Sequence, residues 1–485
     1  MRPSTSKASH PRRFPTRLGS RRRRLVLLSL SLVLHSATSA WAEQRGSLVF
    51  SSGFEGVSIA RYGSSQQHHQ LRGMDSTTGF SFDQLTDQLE DQHFVYLVGP
   101  NRPDPWASTF WKSNAYAGAR SLCLEVKDDH PDDSSTTRNE WSLFPKDQDG
   151  ALFSKQGYAR YRMKFRDDLS QSTWPSNWIN FFEVKENYRL GTRSGENYRM
   201  NFHVKRSASG GAPFWQLLIQ DTSKNPSVDQ TRLQNKDVPV PIGKWFLVEA
   251  LWKQHPERGR LYLAIDGKTV FDFRGRTENV NPTGVRFWSP LKNYRNAAWL
   301  AGDGRTNVDY DDLQLWTDFP LGEYREHEGE VVMQAEQFTG RASAGDTWEV
   351  VNIEGDSERS IVALNDNGTL AGSTQGPRVD YRIRIDTPGA YRLWARAKSK
   401  DSASDSFHFG RNGGWMGTVY GLPRSWGWVG GKRIDVQAAG VVTLNVWMRE
   451  DGAILDKFVL IQDDSQYPLD GDAKGPEASP SGVAG

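Results

Sequence analysis

An all-β chain of two antiparallel β-sandwich domains is what the 485 residues predict, on three observations. Tyr198-Arg199-Met200-Asn201-Phe202-His203-Val204-Lys205 alternates without a break. With a strand's period of two, Tyr198, Met200, Phe202 and Val204 share one face and Arg199, Asn201, His203 and Lys205 the other. Short aromatic and β-branched runs separated by Gly, Pro, Asn and Asp fill most of the chain, and no long stretch carries the period of a helix. The texture breaks at Asp318-Phe319-Pro320-Leu321-Gly322-Glu323 and the charged Arg325-Glu326-His327-Glu328, and about 440 residues beyond the N-terminal segment are too many for one ordinary core.

Taken in order, residues 1–42 read as an export signal: Arg21 to Arg24, the apolar run Leu25 to Leu34, then Ala40-Trp41-Ala42. The apolar run is too short to span a bilayer, and nothing later approaches the length a membrane helix needs. The expectation is a secreted or periplasmic monomer. Nine of the 60 Lys and Arg and none of the 58 acids lie in that segment, so the remainder is net acidic. This argues against nucleic acid as a partner, since attraction for a polyanion would have to be local. Cys123 is the only cysteine and sits between Leu122 and Leu124, where it reads as an inert core residue.

The first domain, 43–322, holds the runs Ser47–Phe50, Gly157–Phe165, Trp178–Lys185, Tyr198–Lys205, Trp215–Gln220, Trp245–Trp252, Leu261–Ile265 with the turn Asp266-Gly267, and Asp309–Trp316. The second, 329–465, repeats the texture in smaller size. Residues 466–485, rich in Gly, Pro, Ser and Asp, read as a disordered tail. The polar face of the Tyr198–Lys205 run, an amide and an imidazole between cations, suggests a groove for an acidic, polyhydroxylated ligand. The alternative is an ordinary outward polar face.

Ser51-Ser52-Gly53-Phe54-Glu55, Gly259 to Gly267 and Val308-Asp309-Tyr310-Asp311-Asp312-Leu313-Gln314-Leu315 resemble the concanavalin-A-like jelly rolls, and among them the secreted polysaccharide lyases of the alginate-, glucuronan- and heparin-lyase kind. Arg138-Asn139-Glu140 resembles the Arg-x-Glu those enzymes carry on a concave strand. The resemblance implies β-elimination in an acidic, uronate-containing polysaccharide, which needs the C6 carboxylate neutralised, a base for the C5 proton and an acid for the leaving oxygen. Arg138 and Asn201 would hold the carboxylate, His203 or Lys185 would be the base, and Tyr294 the acid, with Glu140, Glu183, Arg199 and Lys205 as substrate contacts. Where the family carries Gln-x-His, this chain reads Phe182-Glu183-Val184-Lys185, and a lysine base needs a depressed pKa. Hydrolysis stays open through Glu183 paired with Glu140 or Glu249, although the hydrolase motif Glu-x-Asp-x-x-Glu is absent.

Val331 to Glu336, Pro388 to Ala397 and Ala453 to Leu460 resemble the strands of galactose-binding-like carbohydrate-binding modules. The resemblance implies a structural calcium held by Glu336 and Asp456, with Gln334 where a second acid is usual. Trp415, Trp426 and Trp428, in the Gly-rich stretch 410–431, are expected to stack on sugar rings, with Trp348 and Arg424 as further contacts. Two function classes compete: a lyase with an appended glycan-binding module, and a non-catalytic protein of two glycan-binding sandwiches. Convergence of Arg138, Asn201, a base and Tyr294 in one cleft would separate them.

Overall fold

The computed structural model describes residues 46–482 apart from 62–67, 90–92, 99–106, 128–136, 146–150, 172–177, 187–197, 208–210, 222–227, 280–283, 296–304, 321, 353–358, 365–367 and 471–472. The segment read as an export signal lies outside the described residues. The fold is all β. Among the described residues one α-helix occurs, Phe82–Gln88, started by the Ser81 hydroxyl, which accepts from the backbone N–H groups of Asp83 and Gln84. No helix among the described residues is long and apolar enough to cross a membrane.

Two sheets form the first sandwich. An eight-stranded sheet runs Lys268–Gly275, Gly259–Ile265, Phe246–Lys253, Gln156–Phe165, Arg305–Trp316, Ser121–Lys127, Ala107–Lys112, with Leu48–Ser52 also on Arg305–Trp316. A nine-stranded sheet runs Val228–Asn235, Phe214–Asp221, Arg199–Lys205, Trp178–Glu186, Val285–Arg295, Thr137–Leu143, His93–Val98, His68–Arg72, Ser58–Arg61. Tyr198, Met200, Phe202 and Val204 enter the core between the sheets with Trp141, Trp215, Trp252 and Trp288, as the alternation requires. Each such side chain contributes about 1.5–3 kcal/mol by leaving water. Asp266 and Gly267 have φ of 48° and 79°, the pair of positive values a two-residue hairpin turn of the right twist demands. Cys123 is fully buried, and burial pushes its thiol up, so it stays inert.

The second sandwich has a separate core, with Tyr324, Trp348, Tyr381, Phe407 and Phe458, between a seven-stranded and a six-stranded sheet. Its first strand, Glu323–Arg325, also ties the two sandwiches together. Arg325 donates to both oxygens of Glu249, at 2.5 and 3.0 Å, and Tyr158 donates to Oε1 of the same carboxylate at 2.8 Å.

The expectation of a disordered tail fails for residues 473–482. Trp428 Nε1 donates to Ala473 O at 2.8 Å, Arg260 of the first sandwich donates to Ala478 O at 2.7 Å, and Ser481–Gly482 pairs with Glu323–Arg325. Composition hides this because the segment is held through backbone groups and small serines. Ser479, for instance, exchanges two hydrogen bonds with the Val332 backbone.

Candidate active site

The outward face of the nine-stranded sheet carries the polar groups singled out from sequence, and Cα pairing lines them up in rows across the strands. One row reads Arg138, Tyr294, Asn180, His203, Gln216. A second holds Glu140 beside Lys292, and Glu183 beside Asn201; a third reads Phe287, Lys185, Arg199, Gln220. Two irregularities make this possible. The register shift between Phe202 and His203 puts Asn180 and Glu183 on one face although they are three residues apart, and the shift between Ser289 and Tyr294 sets five residue steps of Val285–Arg295 against three of Trp178–Glu186, so that Tyr294 meets Asn180.

The floor of the face is an ion cluster. Lys292 Nζ bonds Glu140 and lies 2.5 Å from Glu183, Lys185 Nζ is 3.5 Å from Glu183, and Arg138 Nε is 3.6 Å from Glu140. Glu140, Glu183, Lys185 and Lys292 are all buried. Burial alone would raise the Glu183 pKa, but Lys185, Lys292 and Arg199 together hold its carboxyl well below the usual range. The rim is partly open and consists of Arg138, Trp178, Arg199, Lys205 and Tyr294. Among the described residues of this face cations therefore outnumber carboxylates, Arg138, Lys185, Arg199, Lys205, Arg232 and Lys292 against Glu140, Glu183 and Asp229.

Trp178 joins the two proton-handling candidates. Its ring stacks on His203 at 5.4 Å and 18° and stands edge-on to Tyr294 at 5.0 Å and 76°. Asn180 donates to Asn201 at 2.8 Å, which aligns two amides in the middle of the face. Burial, with Arg199, Lys205 and Lys292 acting against Glu183, pushes the His203 imidazole down to about 3, so the ring is neutral near pH 7.

Arg138, Tyr294 and His203 thus share a row, while Lys185 does not. It is buried two rows away, paired with Glu183 and 4.9 Å from the Phe287 ring centre, which removes it as a freely placed base. Sequence reasoning passed over Trp178, Asn180, Gln216 and Lys292. The signal for Lys292 was present in the alternation Lys292-Asn293-Tyr294, and for Trp178 and Asn180 it was masked by the adjacent Phe181-Phe182. Glu249 lies on the other sheet, on Arg325, and does not pair with Glu183.

Corrections also fall on the second sandwich. Trp428 is 8% exposed, packs edge-on to Tyr467 at 5.4 Å and 77°, and is structural. Trp426 lies under Arg396 at 4.5 Å and Lys398 at 4.7 Å, whereas Trp415 is 49% exposed on a strand of the opposite sheet. The three rings form no common platform. Trp348 is fully buried and Arg424 is exposed. At the expected calcium ligands, Asp456 Oδ2 accepts from Arg396 at 2.8 Å, and Gln334 Oε1, Glu336 Oε2 and Asp456 Oδ1 are buried oxygens that accept no hydrogen bond among the described residues.

Residues 323–468 match the family model of the glycosyl hydrolase family 115 C-terminal domain. Over 116 residues, 20% of this chain, the sequence is 33% identical to an uncharacterized protein P23 of Formosa agariphila; the match spans 27% of that relative. Among solved structures, alginate lyase Aly36B aligns at 14% identity over 55% of this chain and 95% of its own, with a TM-score of 0.32. The C-terminal CBM6 of the laminarinase LamC from Zobellia galactanivorans aligns at 14% identity over 27% of this chain and 99% of its own, with a TM-score of 0.22. Scores of this size do not establish a shared fold.

Proposed function

We propose that the outward face of the nine-stranded sheet binds an acidic, uronate-containing polysaccharide and cleaves it by β-elimination, and that the second sandwich is an appended glycan-binding module. The observation that carries this is the excess of cations on one sheet face, set around aligned amides and two proton-handling side chains, in a chain that is net acidic beyond residue 42. A neutral glycan has no use for such a face; a carboxylate does. The match of residues 323–468 to a C-terminal domain of a glycosyl hydrolase family supports the carbohydrate setting. An exported protein would meet such polymers outside the cell.

Arg138, with the Asn180 and Asn201 amides, neutralises the uronate carboxylate and makes the C5 proton removable. A proton leaves C5, its electron pair forms the C4–C5 double bond, the C4–O bond breaks, and the leaving oxygen takes up a proton. Tyr294, beside Asn180 in the row, handles these proton transfers, with His203 on the other side of Asn180 next to the carboxylate. Hydrolysis by paired carboxylates has less support: Glu140 and Glu183 are both bound to Lys292, which leaves neither as a proton donor. On the second sandwich Trp415, with its exposed ring, offers a stacking surface for a sugar.

A panel of acidic polysaccharides, followed by the ultraviolet absorbance of an unsaturated uronate, tests the reading. Absorbance that grows with new reducing ends supports it; reducing ends without absorbance mean hydrolysis, and neither product means a binding protein.

A further inference from the structure

We propose that Gln216 fixes the ring tautomer of His203, with the single ring proton on Nε2, and so makes His203 a hydrogen-bond donor to the bound carboxylate rather than the acceptor of the C5 proton. The geometry stands on its own; the consequence for catalysis rests on the β-elimination reading.

Pairing of Arg199–Lys205 with Phe214–Asp221 sets Gln216 directly opposite His203. Gln216 is 2% exposed, and its amide Nε2 lies 3.5 Å from His203 Nδ1, the long end of a hydrogen bond. An amide nitrogen only donates, so Nδ1 accepts and a neutral ring must carry its proton on Nε2. Reversing the amide would set its oxygen against Nδ1 and bury the NH₂ where the Oε1 atom now lies without a hydrogen-bond partner. A buried orphan carbonyl is the more tolerable of the two, as it is for backbone groups.

The surroundings keep the ring neutral and in place. Arg199 and Lys205 on its own strand and Lys292 from Val285–Arg295 oppose a second ring proton, and Glu183 on the neighbouring strand is the charge that favours it. Trp178 stacks on the ring and fixes its plane. In this state Nε2 offers an N–H and no lone pair. It suits the negative charge that develops on the uronate carboxylate as C5 loses its proton.

Ring-nitrogen NMR on the full-length protein reads the tautomer directly. A bare Nδ1 and protonated Nε2 are expected, and a proton on Nδ1 overturns the proposal. Gln216→Glu places an acceptor at Nδ1, so the proton should move there and the His203 titration should rise above wild type. Gln216→Leu, which keeps no polar group, should give a mixture; wild-type tautomers in both variants would remove Gln216 from the role. In turnover, His203→Gln retains an N–H donor and should stay within about tenfold of wild type, whereas His203→Ala should lose ~10²-fold. Equal losses would mean that His203 is not a donor. If the wild type cleaves no uronate polymer, the β-elimination reading falls alone and the NMR still decides the tautomer.

Discussion

Glu183 and Glu186 stand three residues apart on the Trp178–Glu186 strand, both buried, and their environments drive them in opposite directions. Glu183 faces outward among Lys185, Lys292 and Arg199, and those cations hold its carboxyl down in spite of burial. Glu186 lies on the side of Val184, facing the end of the core. Burial pushes its carboxyl up to about 7; Glu278 adds to the rise, and hydrogen bonds from Asn279 and Gln254 oppose it. Burial by itself therefore says little about a carboxylate's charge. The decisive quantity is whether the strands that happen to be its neighbours bring cations.

Removing the cation should break the contrast most severely. Lys292→Met leaves Glu140 and Glu183 buried without their shared ammonium, and urea unfolding at pH 7 should show a loss of about 3–5 kcal/mol. A loss below ~1 kcal/mol would mean that the cluster is not held as an ion pair. On the rim, where groups are partly open, effects should appear in turnover more than in stability. Arg138→Ala should lower kcat on a uronate polymer by ~10²-fold, with a smaller loss of stability than Lys292→Met because Glu140 keeps Lys292, and full activity would remove Arg138 from the site.

The two carboxylates also make opposite predictions for pH. The folded pKa of Glu186 lies above its ordinary 4.5, so the folded state binds the extra proton and this group's contribution to stability falls as pH rises from 4.5 to about 7. The folded pKa of Glu183 lies below 4.5, so its contribution is present above that value and is lost as pH falls below it. Wild type and Glu186→Gln, unfolded in parallel, should differ in slope only in the upper window. Identical slopes there would show that Glu186 is not perturbed.

The smallest expected effect extends the comparison to the second sandwich, where Asp456 already has its cation in Arg396. Chelation of calcium should shift the thermal midpoint by less than about 1 °C if Arg396 alone balances Asp456. A drop of several degrees would restore a metal site.

The alternation of Tyr198 to Lys205 was legible because the strand period depends only on local backbone geometry, and every inward residue of that run entered the core. The same holds for the Asp266-Gly267 turn, whose two positive φ values are a local demand. Trp428 was not legible as a structural ring. Nothing near it in sequence announces that Tyr467 and Ala473 will cover it, and those partners lie about 40 residues away along the chain. Nor was the Arg396–Asp456 pair, since the two residues meet only across two paired strands.

By itself, then, the sequence determined what local periodicity and composition control: strands, turns, an outward polar face and a break between two sandwiches. Tertiary structure alone decided which polar residues meet. Arg138, Tyr294, Asn180 and His203 come from four strands between residues 137 and 295, and their row depends on strand order and two register shifts that long-range pairing imposes. Charge states followed from the same source, because the field at Glu183 or Glu186 is set by side chains distant in sequence and close in space.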